Sequence, residues 1–349
     1  MFPRLALGYW FLIALCVITL IISAQVGIEP ASYYLSVSLT DKDVSVWIMP
    51  VLIWYLFVAV ALVQRRVERP LQTLWRLTSR QKGWILRGTL FVFLSVPLGR
   101  AVMRVKVAIP NLVPFYADHF LIQADRALLG TDAWRLTHHL VGFAGTVVLD
   151  RLYGLWFMVM MGTLAWAAFT RDIRFQVRSL TAYFLTWFIL GGVFATALSS
   201  VGPCFYDQFY GGNQFAPMME LLRGYDARYS LNALFSMHYL TAVFGKEEIG
   251  SGISAMPSLH VGIAFLLFLM CRSRFGMRWP RHVAFVYFVL IWFASVHLGW
   301  HYAVDGLASV FGVSAIWWGS GKFVRWLDAR DARRLADEPK TEGIPSFAV

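Results

Sequence analysis

The sequence predicts an all-α fold, a polytopic membrane helix bundle of about eight transmembrane helices. Three observations lead there. Of 349 residues, 58% are hydrophobic and only 15% charged, against roughly 45–50% and about 25% in soluble domains. The apolar residues fall into long blocks separated by short polar stretches, and a helix needs ~20 apolar residues to cross the ~30 Å hydrocarbon core. The basic residues favour every second inter-block segment. An ordinary soluble enzyme is excluded, and the 16% aromatic share suits interfacial belts and helix packing in lipid.

The blocks lie near residues 8–28, 47–63, 88–108, 152–169, 179–199, 258–271, 283–299 and 302–319. The first follows a single basic residue, Arg4, and shows no small-x-small cleavage site around Ser23 and Ala24, so it is read as a retained span rather than a signal peptide. If the spans alternate, the amino terminus, 64–87, 170–178, 272–282 and the tail from 320 share one side. That side holds 21 of the 31 Lys and Arg but 7 of the 20 Asp and Glu. The asymmetry predicts cytoplasmic termini, and an odd number of spans would scramble it. The net charge of +11 is therefore topology, with contact to anionic lipid at the inner leaflet, and no nucleic-acid partner is expected.

Organisation follows from the same blocks: two amino-terminal helices and a basic loop over 1–83, a six-helix membrane core over 84–320, and a basic tail over 321–349. Two outward loops, 109–151 and 200–257, are long enough to carry function. The second holds Met218, Met219, Leu221 and Leu222, then Leu231, Leu234, Phe235 and Tyr239, at near-helical spacing. Each set is either an amphipathic helix in the outer interface or a cover over the bundle. Asp118, His119, Asp125 and Arg126 read as loop ion pairs. Cys16 lies inside an apolar block, Cys204 in a loop and Cys271 at the far end of another block, so no two are expected to meet in a disulfide. The tail after Arg330 is expected to fray.

Two segments at the predicted outer face carry chemistry. In Ala255-Met256-Pro257-Ser258-Leu259-His260, Pro257 and Ser258 signal a helix start whose free amides favour an anion, with His260 in the first turn. In the second, His297 to Asp305, His301 and Asp305 are four apart, so on a helix the carboxylate can hold one ring nitrogen. The intervening chain runs one span inward and one outward, which returns His301 to the depth of His260. A lone interfacial histidine is more often an anchor, but ionisable groups gathered at a bilayer are functional by default.

Pro-Ser-Leu-His at 257–260 and His-Tyr-Ala-Val-Asp at 301–305 resemble the second and third signature blocks of the type-2 phosphatidic acid phosphatase superfamily. The resemblance implies a six-helix phosphatase-like core and chemistry on lipid phosphates. It further implies that His301 attacks phosphorus to form a phosphohistidine, Asp305 orients it, His260 protonates the leaving oxygen, and no metal or organic cofactor takes part. Three positions depart from the pattern. Ala294 and Ser295 stand where the third block has Ser-Arg, the first block of Lys, six residues, then Arg-Pro is not evident, and Leu259 replaces a glycine. These departures, with Gly202-Pro203, are more similar to the inositol-phosphorylceramide synthase-like branch of headgroup transferases.

Phosphoryl transfer also needs positive charge around the equatorial oxygens. The candidates from the outer side are Arg100, Arg104 and Lys106 at the end of the third span and Arg151 at the entry to the fourth, besides the amides near Ser258; Arg100 or Arg104, four apart on one helical face, is proposed as the phosphate clamp, with Arg151 next. Snorkelling to the interface is the plain alternative for each. His297 and Tyr302 are candidates to support the site from behind, His297 being one helical turn from His301. His138 and His139 lack further ligands at metal-binding spacing. The chain is thus expected to act as an integral-membrane phosphotransferase on lipids, passing a phosphate or phospho-headgroup to a lipid or polyol acceptor. Hydrolysis by water is the alternative, and a transporter or scramblase with idle histidines the remote one. The sequence assigns no oligomeric state.

Overall fold

The computed structural model describes residues 5–27, 62–246 and 250–337, together with Leu56, Ala59 and Val60. Among these residues there are helices and no strand. In chain order they are α1 (Ala6–Val26), α2 (Pro70–Arg80), α3 (Lys82–Leu112), α4 (Asp118–Leu129), α5 (Ala133–Leu140), α6 (Phe143–Gly154) and α7 (Trp156–Phe169). Next comes α8 (Ile173–Leu185), which widens into a π-helical stretch, Thr186–Phe194, and ends in Ala195–Ala197. Then follow α9 (Pro203–Tyr210), α10 (Ala216–Asp226), α11 (Asn232–Ala242), α12 (Leu259–Phe275), α13 (Trp279–His297) and α14 (Ala303–Asp337).

Among the described residues, five helical segments are long and apolar enough to cross a membrane: α1, α3, α6 with α7, α8 with its π extension, and α13. The expected spans fall on these and on α12 and α14 to within a few residues, except 47–63, which lies almost wholly outside the described residues. α14 runs unbroken to Asp337, seven residues beyond Arg330 where fraying was expected to begin, and the rest of the tail lies outside the described residues. The bundle packs α12 between α13 and α14, α8 against α14, and α3 against α1, α7 and the π-helical stretch. Small residues allow this, because close backbone approach rather than hydrophobic expulsion drives helix association in lipid. Gly8 faces Val177 and Leu327, Gly262 and Gly312 both face Leu190, and Gly191 fits between Leu259 and Val102.

The two long segments between the apolar blocks, 109–151 and 200–257, are mostly helical. Met218, Leu222, Leu231 and Leu234 are buried while Phe235 is exposed, so α10 and α11 cover the bundle with one face. This favours the covering reading. Helices that start against other protein must find acceptors for their free amides, and here carboxylates from elsewhere in the chain supply them. Asp125 accepts from the Ala303 and Val304 amides at the start of α14, both at 2.9 Å. Asp150 accepts from the Asn232 and Ala233 amides at the start of α11. Asp118, fully buried, accepts from the Val201 and Gly202 amides and from the Tyr210 and Tyr302 hydroxyls. The expected loop ion pairs are therefore corrected: Arg126 does pair with Asp132 at 2.6 Å, and His119 meets the Tyr206 hydroxyl, but Asp118 and Asp125 serve backbone amides. A buried amide has no water to turn to, which makes a carboxylate worth more there than on a solvated arginine.

Candidate functional site

Ser258 caps α12 with its own oxygen, accepting from the Val261 amide at 3.4 Å, while its carbonyl accepts from the Ser309 hydroxyl at 2.8 Å. Both contacts fix the first turn, in which His260 stands. The Trp156 indole N–H adds a third restraint by donating to the His260 carbonyl at 2.9 Å.

His301 stands two residues ahead of α14 rather than within it. α13 ends at His297, the chain reverses through Gly299 at φ +78°, and the Trp300 and His301 amides both donate to the Ser295 carbonyl. Ser295, where the resemblance would have an arginine, thus shapes the turn through its backbone. The Asp305 Oδ2 meets His301 Nδ1 at 3.2 Å and accepts from the Tyr302 amide at 3.1 Å. Behind the turn, Gly202 at φ +86° packs so closely that a Cβ would lie 2.6 Å from the Trp300 carbonyl oxygen. The Tyr302 hydroxyl donates to Asp118 at 2.9 Å.

The His260 and His301 rings are 6.3 Å apart, centroid to centroid. Both line one cavity of about 430 Å³, together with Lys106, Tyr153, Trp156 and Trp300. Asp305 engages His301 Nδ1, so Nε2 is the ring nitrogen left for another partner. Lys106 supplies a cation from α3, its side chain buried and its backbone packed against Gly252.

The structure does not bring the other proposed cations to this cavity. Arg104 is buried with its guanidinium against Gly27 at the end of α1, and Arg100 is outside the lining. Arg151 donates to Asp150 and to the Ser230 carbonyl on the outer side of α6. Ser258 is fully buried in its capping role and is also absent from the lining. His297 does not share a helical face with His301, because α13 ends there. Its Nε2 meets the Thr146 hydroxyl at 2.8 Å and its ring stacks on His138 at 3.9 Å, while His138 donates to the His297 carbonyl. Burial lowers the pKa of His138, which disfavours its protonation. His139 is exposed, and no cluster of three or more metal-ligating side chains occurs among the described residues.

Sequence reasoning named Lys106 only as one of four cations and missed Tyr153 and Trp156. One signal was available: Lys106 is followed after six residues by Val113-Pro114, which keeps the lysine and proline of the expected first block with valine in place of arginine. The roles of Asp118 and Asp125 had no such signal, because their partners are backbone amides far along the chain.

A sequence model of the PAP2 superfamily matches residues 119–319, more than half of the chain, including His260, His301 and Asp305. No curated protein and no solved structure matches.

Proposed function

The chain belongs to the PAP2 superfamily, and from that premise we propose that it is an integral-membrane phosphotransferase acting on lipid phosphate esters through a phosphohistidine. Membership carries the coarser statement, an enzyme of lipid phosphates of the phosphatase or phosphotransferase type. The observation that supports the mechanism is the pairing of His260 and His301 across one cavity, 6.3 Å apart, with Asp305 on His301 Nδ1 and Lys106 in the same wall.

In the first step His301 Nε2 attacks phosphorus and the bond to the leaving oxygen breaks, with His260 delivering a proton to that oxygen. Asp305 holds the ring in the tautomer that exposes Nε2 and stabilises the charge that develops on it. In the second step an acceptor hydroxyl attacks phosphorus, gives its proton to His260, and the nitrogen–phosphorus bond breaks to free His301. Lys106 offsets negative charge on the equatorial oxygens. The largely apolar, aromatic lining supports a lipid acceptor, whose chain such walls can hold. The charge asymmetry of the sequence supports cytoplasmic termini and a site on the periplasmic, extracellular or lumenal side.

Incubation of the purified protein with a 32P-labelled lipid phosphate and an excess of candidate acceptors tests the reading. A labelled new ester supports transfer, free phosphate alone supports hydrolysis, and absence of both products overturns the enzymatic reading. Acid-labile label on wild-type protein but not on His301→Ala is the expected mark of the intermediate.

A further inference from the structure

The His260 ring is enclosed by aromatic faces. Tyr153, in the last turn of α6, lies parallel to it at 4.5 Å with an interplanar angle of 15°. Trp156, the first residue of α7, lies 4.1 Å away at 37°, and Phe157 meets the ring edge-on at 6.3 Å. Tyr153 and Trp156 are 8% and 2% exposed, so neither is a surface ring that happens to lean inward. The Tyr153 hydroxyl is buried with no hydrogen-bond partner. Its contribution at this site is therefore its ring face rather than its polar end.

An acid next to a phosphate faces a conflict of charge. His260 must hold a proton while Lys106 from α3 faces the same cavity and His301 gains positive charge as it attacks. A carboxylate on His260 would sustain the proton but repel the phosphate, and the carboxylates nearest this space are engaged elsewhere: Asp305 with His301, Asp150 with the α11 amides. Aromatic faces resolve the conflict, because flat rings can fix the imidazole by stacking without placing a negative charge beside the phosphate. We propose that Tyr153 and Trp156 are positioning residues that clamp the His260 ring between them and hold its proton over the leaving oxygen. This rests on the reading of His260 as the general acid.

Leaving-group dependence tests the clamp, since a merely structural pair would affect all substrates alike. Turnover of short-chain phosphatidic acid, whose alkoxide needs a proton to depart, is compared with that of 4-nitrophenyl phosphate, whose leaving group does not. His260→Ala is the reference: if wild type turns over neither substrate, or if His260→Ala slows both equally, the reading of the site fails before the clamp is tested. Given the expected reference, Tyr153→Leu and Trp156→Leu should lower kcat on phosphatidic acid at least about tenfold, the scale of lost acid catalysis. Turnover of 4-nitrophenyl phosphate should stay within about threefold. Tyr153→Phe and Trp156→Phe, which keep the rings, should restore most of the loss. Tyr153→Met and Trp156→Met serve where leucine prevents folding. Parallel loss on both substrates, no loss on phosphatidic acid, or phenylalanine variants as impaired as the non-aromatic ones would overturn the clamp.

Discussion

Replacing Asp118 with alanine removes one acceptor group from four donors at once. The carboxylate is fully buried and takes the Val201 amide at 3.0 Å, the Gly202 amide at 2.9 Å, the Tyr210 hydroxyl at 3.0 Å and the Tyr302 hydroxyl at 2.9 Å. In Asp118→Ala each buried donor left unmade costs about 1–3 kcal/mol, while the burial cost of the carboxylate is recovered. Tyr210 lies nearer the surface and its hydroxyl can turn to water, so three donors set the scale. The net loss is expected to be about 3–5 kcal/mol, the cost of three unmade donors less the recovered burial cost of the carboxylate. Because Gly202 presses on the Trp300 carbonyl and Tyr302 adjoins His301, the loss should reach the site as a fall in kcat. Thermal unfolding in detergent measures the first effect, and a cycle with Tyr302→Phe isolates the pair, with an expected coupling of about 1 kcal/mol or more. A loss below about 1 kcal/mol with no coupling to Tyr302 would refute the argument that this carboxylate ties α4 to the His301 turn.

Lys106→Met should cut turnover on the order of 10²-fold with little change in expression, and Lys106→Arg should restore part of it; equal activity of the methionine variant would remove Lys106 from the phosphate site. His301→Ala should abolish both turnover and phosphoenzyme, whereas Asp305→Asn should leave residual activity because orientation rather than the attacking atom is lost, as single-turnover measurements will distinguish. Burial, helped by the nearby carboxylates of Asp305 and Asp132, pushes the Asp125 carboxyl up to about 6 against the opposing pull of the Ala303 and Val304 amides. Its folded value lies above its unfolded one, so its contribution is fully present below about pH 4 and is lost as pH rises through about 6. Wild type should therefore lose stability relative to Asp125→Asn over that window, and parallel profiles would contradict it. His138, held neutral by burial, has the opposite sign: its contribution is present above its ordinary value of 6.5 and is lost as pH falls below it. The acid limb of stability should flatten in His138→Gln.

Hydropathy and charge determined the bundle by themselves. A span is a local property, since ~20 apolar residues cross the bilayer whatever their neighbours do, and α1, α3, α7, α8, α12, α13 and α14 sit where the apolar blocks predict. His260, His301 and Asp305 were legible for a related reason: a helix-start signal, a four-residue spacing and an out-and-back pair of spans are all readable along one chain. The supporting parts were not. Arg100, Arg104, Lys106 and Arg151 carry the same charge at the same predicted depth, and only the packing of α3 against Gly252 turns Lys106 into the cavity while Arg104 lies against Gly27. Asp118 and Asp125 bind amides 83 to 179 positions away, partners with no side-chain signature. Tyr153 and Trp156 look like any interfacial aromatics until α6 and α7 meet α12 and close on His260. Local sequence sets which helices form and where they cross; which side chain of each helix faces the site depends on rotation and contact between helices, and that is a property of the packed bundle.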